Sequence, residues 1–186
     1  MRSTFTSEIP QWISLQPNIR GDWSQCLQTL EGHKDGIRSV SFSHDSALVV
    51  SGSADKTIRV WRTATGECIQ TLDGYDTVVT SVAFSHDSAL IASGSEDETI
   101  RIWRTATGES IQTLVGHNER VTSVAFSHDS ALVASGSEDT TIRIWCTATG
   151  ECVKALVSHD GRVESVTFSH DSALMASGSL DETVRI

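Results

Sequence analysis

The chain has 186 residues, 38% of them hydrophobic, and a formal charge of −10 at pH 7. Its few basic residues form no cluster, which argues against a nucleic-acid partner and against binding to an anionic membrane surface. The longest apolar runs are a few residues, far below the roughly 20 that a membrane span needs, and residues 1–12 lack the apolar core of a signal peptide. We therefore expect a cytoplasmic protein without a membrane span.

The chain opens with a segment unlike the rest. Residues 1–24 contain both prolines, Pro10 and Pro17, and show no internal repeat. We interpret this segment as a leader or linker.

From Gln25 onward a 42-residue unit recurs four times. Trp61, Trp103 and Trp145 mark its period, and the next step of 42 would fall on position 187. A period of 20 to 50 residues is typical of repeat architectures, in which each unit buries its apolar surface against its neighbours. The predicted array covers 25–186, with repeats at about 25–66, 67–108, 109–150 and 151–186.

Each repeat alternates short β-prone runs with turn clusters. In the second repeat the runs are 79–85, 89–95, 99–103 and 110–114. They predict four antiparallel strands joined by tight turns, and no stretch has a sustained helical period. Such a sheet has two faces to cover, and radial stacking of equal sheets covers both.

Cysteine usage indicates a reducing compartment. Cys26, Cys68 and Cys152 share one repeat position, so we expect them on different blades and not in disulfides. Cys146 has no CxxC or Cys/His spacing around it, and we interpret it as an exposed loop thiol and not as a metal ligand.

The segment EGHKDGIRSVSFSHDSALVVSGSADKTIRVW at 31–61 resembles the WD40 repeat family of β-propellers. It contains Gly-His, a strand, Ser-Gly-Ser-x-Asp and a terminal Trp in the family's order. The Asp that follows Trp in the family is replaced by Arg62, Arg104 and Cys146. The resemblance implies an all-β partial propeller of four four-stranded antiparallel blades, the last incomplete, arranged as an open arc.

The resemblance also implies a hydrogen-bonded tetrad of His, Ser, Asp and Trp inside each blade. A buried carboxylate is costly unless paired, and an imidazole that joins it to a hydroxyl forms a charge-assisted network. We expect these groups to be structural. Carried over by position, they are His33, Ser51, Asp55 and Trp61; Ser93, Asp97 and Trp103, with Tyr75 in place of His; His117, Ser135, Asp139 and Trp145; and His159, Ser177 and Asp181 without Trp.

These polar residues have two other interpretations. Ser, His and Asp could form a hydrolase triad, but a nucleophile needs a unique, exposed site, whereas this set is repeated and covered by an indole. The His-Asp pairs at 44/45, 86/87, 128/129 and 170/171 could bind metal, but we interpret them as solvated turn residues separated by the width of a blade. With no phosphate-binding loop either, we predict neither enzymatic activity nor a cofactor or metal.

Differences between repeats concentrate in a few loops. The second and third repeats differ at three of the 31 positions compared, 79–109 against 121–151. Wider differences lie before the first strand and around the turn Asp, loops that share one rim in the family. We predict that this rim binds protein ligands of basic or mixed charge, and drift at solvent positions is the alternative. The candidate rim residues are Lys34, Arg38, Lys56, Tyr75, Asp76, Glu96, Glu98, Asn118, Arg120, Glu138, Arg162, Glu164, Leu180 and Glu182.

The number of repeats also predicts how the chain associates. Sheets sized for a larger ring would leave gaps in a closed ring of four. We expect either an arc with exposed blade faces, or closure by a head-to-tail homodimer or by further WD repeats.

The leader narrows the resemblance. EIPQW at 8–12 and DWSQCLQTLEGH at 22–33 resemble the junction before the propeller in fungal NACHT-WD proteins of the NOD-like, heterokaryon-incompatibility type. This resemblance implies a protein-interaction scaffold from such a signalling protein. A WD-repeat mitochondrial-fission adaptor is the alternative, disfavoured by the absence of heptads, and a non-catalytic subunit of an enzyme complex is more remote.

Overall fold

A computed structural model describes residues 28–157 and 159–186, and all regular secondary structure within these ranges is β-strand. The predicted leader at 1–24, and Cys26 with it, lies outside the described residues. No helix in the described ranges is long and apolar enough to cross a membrane.

The described residues form fifteen strands, grouped by repeat. They are β1 (Ile37–Phe42), β2 (Leu48–Ser53), β3 (Ile58–Arg62) and β4 (Cys68–Leu72); β5 (Val79–Phe84), β6 (Leu90–Ser95), β7 (Thr99–Arg104) and β8 (Ser110–Val115); β9 (Val121–Phe126), β10 (Leu132–Ser137), β11 (Thr141–Cys146) and β12 (Cys152–Val157); and β13 (Val163–Phe168), β14 (Met175–Ser179) and β15 (Val184–Arg185).

Each repeat is one antiparallel sheet in which neighbours in sequence are neighbours in space. The first three sheets have four strands in the orders β1-β2-β3-β4, β5-β6-β7-β8 and β9-β10-β11-β12, and the fourth has β13-β14-β15. None of these sheets closes on itself. The predicted all-β partial propeller with an incomplete last blade is confirmed, and each predicted strand of the second repeat differs from the structure by one residue at one end.

Local side-chain hydrogen bonds form the turns between strands. After β1, the Asp45 carboxylate accepts hydrogen bonds from the Ser43 hydroxyl at 2.6 Å and from the Ala47 backbone N–H at 3.0 Å. After β3, Gly66 adopts a φ of 72° and its N–H donates to the Arg62 carbonyl. Short polar side chains and glycine are the residues that tolerate such turns. The Asp turn recurs in all four repeats, and the Gly turn recurs in the second and third.

The hydrophobic core lies between blades. One buried cluster joins Val50, Ile58 and Val60 of the first blade to Val79 and Val82 of the second. Two similar clusters join the second blade to the third and the third to the fourth. Each blade therefore depends on its neighbours for burial, as the repeat pattern predicts.

Hydrogen bonds also cross between blades. The Ser39 hydroxyl accepts from the Val82 backbone N–H at 3.0 Å, and the Ser88 hydroxyl accepts from the His44 backbone N–H at 3.0 Å. Equivalent bonds recur at the next two junctions. The innermost strands β1, β5, β9 and β13 are thereby fixed side by side.

Candidate functional site

The loops that vary between repeats lie together on one edge of the arc, which we call the upper rim. In each blade the loop before the innermost strand is hydrogen-bonded to the turn after the second strand, for example from the Glu96 N–H to the Val78 carbonyl at 3.1 Å. The turns after the first and third strands join in the same way on the opposite edge, the lower rim, as in the bond from the Thr105 N–H to the Ala89 carbonyl. The variable positions therefore share a surface.

A β-bulge directs one side chain of each innermost strand. Pairing shifts by one residue between Ile37 and Ser39, so Arg38 is the extra residue, and the same shift occurs at the equivalent position of the other blades. Bulges often redirect a side chain at a functional edge. Here they direct side chains into a central depression of about 210 Å³ on the upper rim. It is lined by Arg38, Val78, Thr80, Glu96, Arg120, Thr122 and Glu164.

Five charged side chains form a continuous chain across the second, third and fourth blades. Arg120 contacts Glu96 at 3.3 Å and Glu138 at 3.4 Å, and Arg162 contacts Glu138 at 3.2 Å and also Glu164. Glu96 and Glu138, two of the predicted rim carboxylates, are thus paired with arginines of the next blade. Positive and negative charges therefore balance along this part of the upper rim.

Glu98 and Glu182 remain as rim carboxylates outside the ion pairs of the described residues. They occupy the same repeat position as Lys56, and all three are exposed with a positive φ of 66° to 73°. A left-handed backbone is uncommon outside glycine and often marks functional surfaces. Outside the ion pairs described above, the other predicted rim residues that are exposed are Lys34, Arg38, Asp76, Asn118 and Leu180.

Tyr75 does not belong to the rim surface, contrary to the sequence prediction. Its side chain is buried, and its hydroxyl lies 2.8 Å from the Ser93 carbonyl oxygen and 2.9 Å from the Ser93 hydroxyl. The Arg101 guanidinium lies 4.4 Å above its ring. Tyr75 occupies the position that histidine holds in the other repeats, which faces the blade interior.

The side chains assigned to the tetrads lie in contact inside the blades. In the third blade, His117 Nδ1 is 2.8 Å from Asp139, His117 Nε2 is 2.7 Å from the Ser135 hydroxyl, and Trp145 Nε1 is 2.9 Å from the same hydroxyl. The same contacts join His33, Ser51, Asp55 and Trp61, and His159 joins Ser177 to Asp181. In the second blade Trp103 donates to Ser93, while Asp97 accepts from Thr99.

The hydrogen bonds of the tetrad determine which ring nitrogen of its histidine carries the hydrogen. Trp145 is only a donor, so the Ser135 hydroxyl accepts from the indole and donates its own hydrogen to His117 Nε2. His117 then carries its hydrogen on Nδ1 and donates it to Asp139. Burial raises the pKa of Asp139, but hydrogen bonds from Thr141, Asn118 and His117 outweigh it and lower that pKa to about 2. Burial also lowers the pKa of His117, so this imidazole is neutral at pH 7.

These contacts resemble those of a Ser-His-Asp triad, but the hydroxyl is inaccessible. Ser51, Ser93, Ser135 and Ser177 are between 0% and 4% exposed. In the first three blades the hydroxyl also accepts an indole N–H, which occupies a lone pair that a nucleophile would use. A substrate carbonyl therefore cannot approach these serines without unfolding the blade.

The structure also brings together four histidines that the sequence interpretation separated. The rings of His44 and His86 lie 3.8 Å apart between centroids, those of His86 and His128 3.7 Å, and those of His128 and His170 4.0 Å. We call this row the histidine ladder. It lines a lower-rim groove of about 380 Å³ together with the phenylalanines that end the innermost strands. The prediction that blade width separates these residues is wrong, because the inner strands converge at the centre of the arc.

The sequence contained one signal of the histidine ladder, which was the recurrence of His at the turn after each innermost strand.

No group of three or more His, Cys, Asp or Glu side chains in the described ranges is arranged to hold a metal ion. The described cysteines are free thiols, and Cys146 is half-buried at the end of β11, not in a loop as predicted.

Comparison with known proteins places the repeats in a family. The model of the WD domain, G-beta repeat, matches residues 24–62, 66–104, 108–146 and 150–186. A stretch of 66 residues is 50% identical to the Vegetative incompatibility protein HET-E-1 of Podospora anserina, covering 36% of this chain and 5% of that protein.

Other relatives match over shorter stretches. Mitochondrial division protein 1 of Vanderwaltozyma polyspora is 42% identical over 52 residues, or 28% of this chain and 7% of that protein. Pre-mRNA-processing factor 19 homolog 2 of Arabidopsis thaliana is 55% identical over 38 residues, or 20% of this chain and 7% of that protein. The chain thus spans a small part of the length of these curated relatives. On the four family matches and the blades described above, the chain belongs to the WD40 repeat family.

Proposed function

We propose that the chain is a recognition module that binds protein ligands on its upper rim. The observation that carries this proposal is the separation of constant and variable residues between the blade interiors and the rim. The WD-repeat fold is typically a non-catalytic scaffold, and its repeats imply a role in protein interaction. We accordingly propose no enzymatic activity.

Binding at the upper rim would rely on a rigid backbone that carries side chains that vary between repeats. The tetrads and the interblade hydrogen bonds fix the backbone, while the rim position that holds Lys56 in the first blade holds Glu98, Thr140 and Glu182 in the others. The paired charges around Arg120 favour a ligand of mixed charge, and the unpaired Glu98 and Glu182 favour basic groups on it. We expect no nucleic-acid partner, because the formal charge is −10.

We further propose that the module belongs to a fungal signalling protein of the NACHT-WD, heterokaryon-incompatibility type, acting in the cytoplasm. The identity to a vegetative incompatibility protein supports this type, as does the sequence of the leader at 1–24 ahead of the array at 25–186. The match to a mitochondrial division protein supports the alternative, a fission adaptor. A non-catalytic subunit of an enzyme complex is the more remote possibility.

The experiment reverses charge on the upper rim without disturbing its ion pairs. Glu98→Lys and Glu182→Lys should both fold, because Lys56 already holds the same repeat position with φ of 73°. Capture of binding proteins from fungal extract should fall for the double variant. Glu109→Lys with Glu151→Lys, the matched reversal on the lower rim, should leave capture unchanged. Equal capture by both double variants would refute the upper-rim assignment.

A further inference from the structure

The histidine ladder differs chemically from the other histidines of the chain. The chain has seven histidines, and the three in the tetrads have both ring nitrogens hydrogen-bonded inside a blade. Within the described ranges, no ring nitrogen of the ladder has a hydrogen-bond partner, and those of His86 and His128 are open to solvent. The ladder therefore has free ring nitrogens that a ligand could use.

Backbone hydrogen bonds between blades hold the ladder in place. The His86 backbone N–H donates to the Ser130 hydroxyl at 3.0 Å, and the His128 backbone N–H donates to the Ser172 hydroxyl at 2.8 Å. Each histidine turn is thereby fixed to the following blade, with ring centroids 3.7 to 4.0 Å apart. Because His86 and His128 each have a ladder neighbour on both sides, the array itself forms the site.

The rest of the groove leaves the imidazoles as its only available donors. Besides the ladder, its lining consists of the side chains Phe42, Phe84, Phe126, Phe168, Ser85, Ser127 and Ser169. The serine hydroxyls already donate to the aspartates of their own turns, at 2.6 Å in each case. The phenyl rings reduce contact with water, which strengthens the interaction of charges in the groove.

Other charged groups lie near the ladder but outside the lining of the groove. The carboxylates on the ladder turns each accept from a serine hydroxyl and a backbone N–H of the same turn, and they are Asp45, Asp87, Asp129 and Asp171. Farther out on the lower rim, Arg62 pairs with Glu67 and Arg104 with Glu109, and Glu151 accepts from Thr149. The imidazoles are thus the groups that a ligand in the groove would meet.

Protonation of neighbouring ladder rings is unfavourable without a counter-ion. Burial, followed by repulsion from His128, His44 and His170, lowers the pKa of His86, and Asp87 opposes this only in part. A protonated imidazole donates from both ring nitrogens. An oxyanion with two or more negative charges can accept from two neighbouring rings at once and offset the repulsion between them. Proton uptake and anion binding should therefore reinforce each other.

We propose that the histidine ladder is a binding site for multivalent oxyanions that forms when its rings are protonated. Oxygens of the anion accept hydrogen bonds from adjacent rings, with His86 and His128 at the centre of the site. The formal charge of −10 counts histidine as neutral, so acidification adds positive charge at this groove within an otherwise acidic chain. The groove lies on the lower rim, and the inference stands independently of ligand binding on the upper rim.

Nuclear magnetic resonance of the imidazole C–H groups tests the proposal, with sulfate as the probe. Sulfate keeps two negative charges between about pH 5 and 8, so any pH dependence comes from the protein. The pKa values of His86 and His128 should be higher in millimolar sulfate than in chloride of equal ionic strength, which gives equal screening. Sulfate should bind about tenfold or more tightly near pH 5.5 than near pH 7.5.

The chain contains its own controls for this titration. The tetrad histidines His33, His117 and His159 have both ring nitrogens bonded inside the blades, so sulfate should not change their signals. Identical titrations of the ladder signals in sulfate and in chloride would overturn the proposal, and this result needs no variant.

Two variants separate the ladder from general attraction of anions to positive charge. The double variant of His86→Gln with His128→Gln keeps polar side chains but removes the two central rings, so the remaining ladder signals should lose their response to sulfate. Arg120→Gln removes a positive charge from the upper rim and should bind sulfate as the wild type does. Circular dichroism would check both folds. Sulfate binding that persists in the folded double variant, or that is lost in Arg120→Gln, would contradict a site at the ladder.

Discussion

Tyr75 donates its phenolic hydrogen to Ser93, at the position where the other three blades have a histidine that also contacts an aspartate. The substitution preserves the bond to the strand but leaves Asp97 without a partner on the preceding loop. Asp97 accepts only from Thr99 among the described contacts, whereas Asp139 accepts from His117, Asn118 and Thr141. The blades are thus alike in shape and unequal in their polar networks.

Because the polar networks differ, two matched aspartate substitutions should lower the free energy of unfolding by different amounts. Asp139→Ala should lower the free energy of unfolding by about 2 kcal/mol more than Asp97→Ala, since it leaves a buried imidazole N–H without its charged acceptor. Urea denaturation followed by tryptophan fluorescence would measure both. Equal costs would show that the histidine bridge contributes little.

A methyl group added at an internal junction should destabilise the chain. Gly94→Ala places a Cβ 2.6 Å from Val121 Cγ1, so two blades must shift apart, at a cost of about 1 to 3 kcal/mol. Gly36→Ala is the control, because nothing lies within 4 Å of its added Cβ and its φ is not left-handed. Thermal unfolding of the two variants should separate them. A similar loss in both would contradict close packing between the blades.

Acidification should weaken the fold in two pH windows. Burial lowers the pKa of His117 below 6.5, and for His86 burial together with repulsion from the neighbouring ladder histidines does the same. A base with a lowered folded pKa contributes stability that is complete above its unfolded pKa and is lost as pH falls below it. Asp139 accounts for the second window, at lower pH. Its lowered pKa stabilises the folded chain fully above the ordinary pKa of 3.8, and this stabilisation is lost as pH falls toward about 2.

The variant His86→Gln isolates the contribution of the ladder. It removes one stacked imidazole while leaving the tetrad histidines intact, so melting temperature should fall less steeply below pH 6.5 than in the wild type. The loss toward pH 2 should remain. An unchanged slope below pH 6.5 would assign that window to His117 alone.

The ion pairs of the upper rim should contribute little to stability. Arg120 and Glu96 are each more than a third exposed, and solvent screens such pairs. Arg120→Gln should therefore change the free energy of unfolding by less than about 1 kcal/mol, with less effect in high salt. Chemical denaturation at two salt concentrations would measure this. A larger loss would mean that the charge chain fastens the blades together.

Much of the fold followed from local patterns. The 42-residue period, the β-prone runs and the turn clusters predicted four meander sheets, because strand alternation and turn chemistry depend on residues close in sequence. The positions of the tetrad side chains followed from the family resemblance, and in the structure His117, Asp139 and their equivalents lie in contact.

Other features depended on how blades meet. No strand pattern fixes the distance between residues of different blades. The sequence therefore did not predict the pairing of Arg120 with Glu96 or the row of histidines at 44, 86, 128 and 170. It also did not predict the burial of Tyr75. The sequence by itself determined what each blade is, since one repeat contains its strands, turns and polar network. Only the tertiary structure decided which side chains of different blades meet, because blade curvature and packing bring the inner strands together at the centre of the arc.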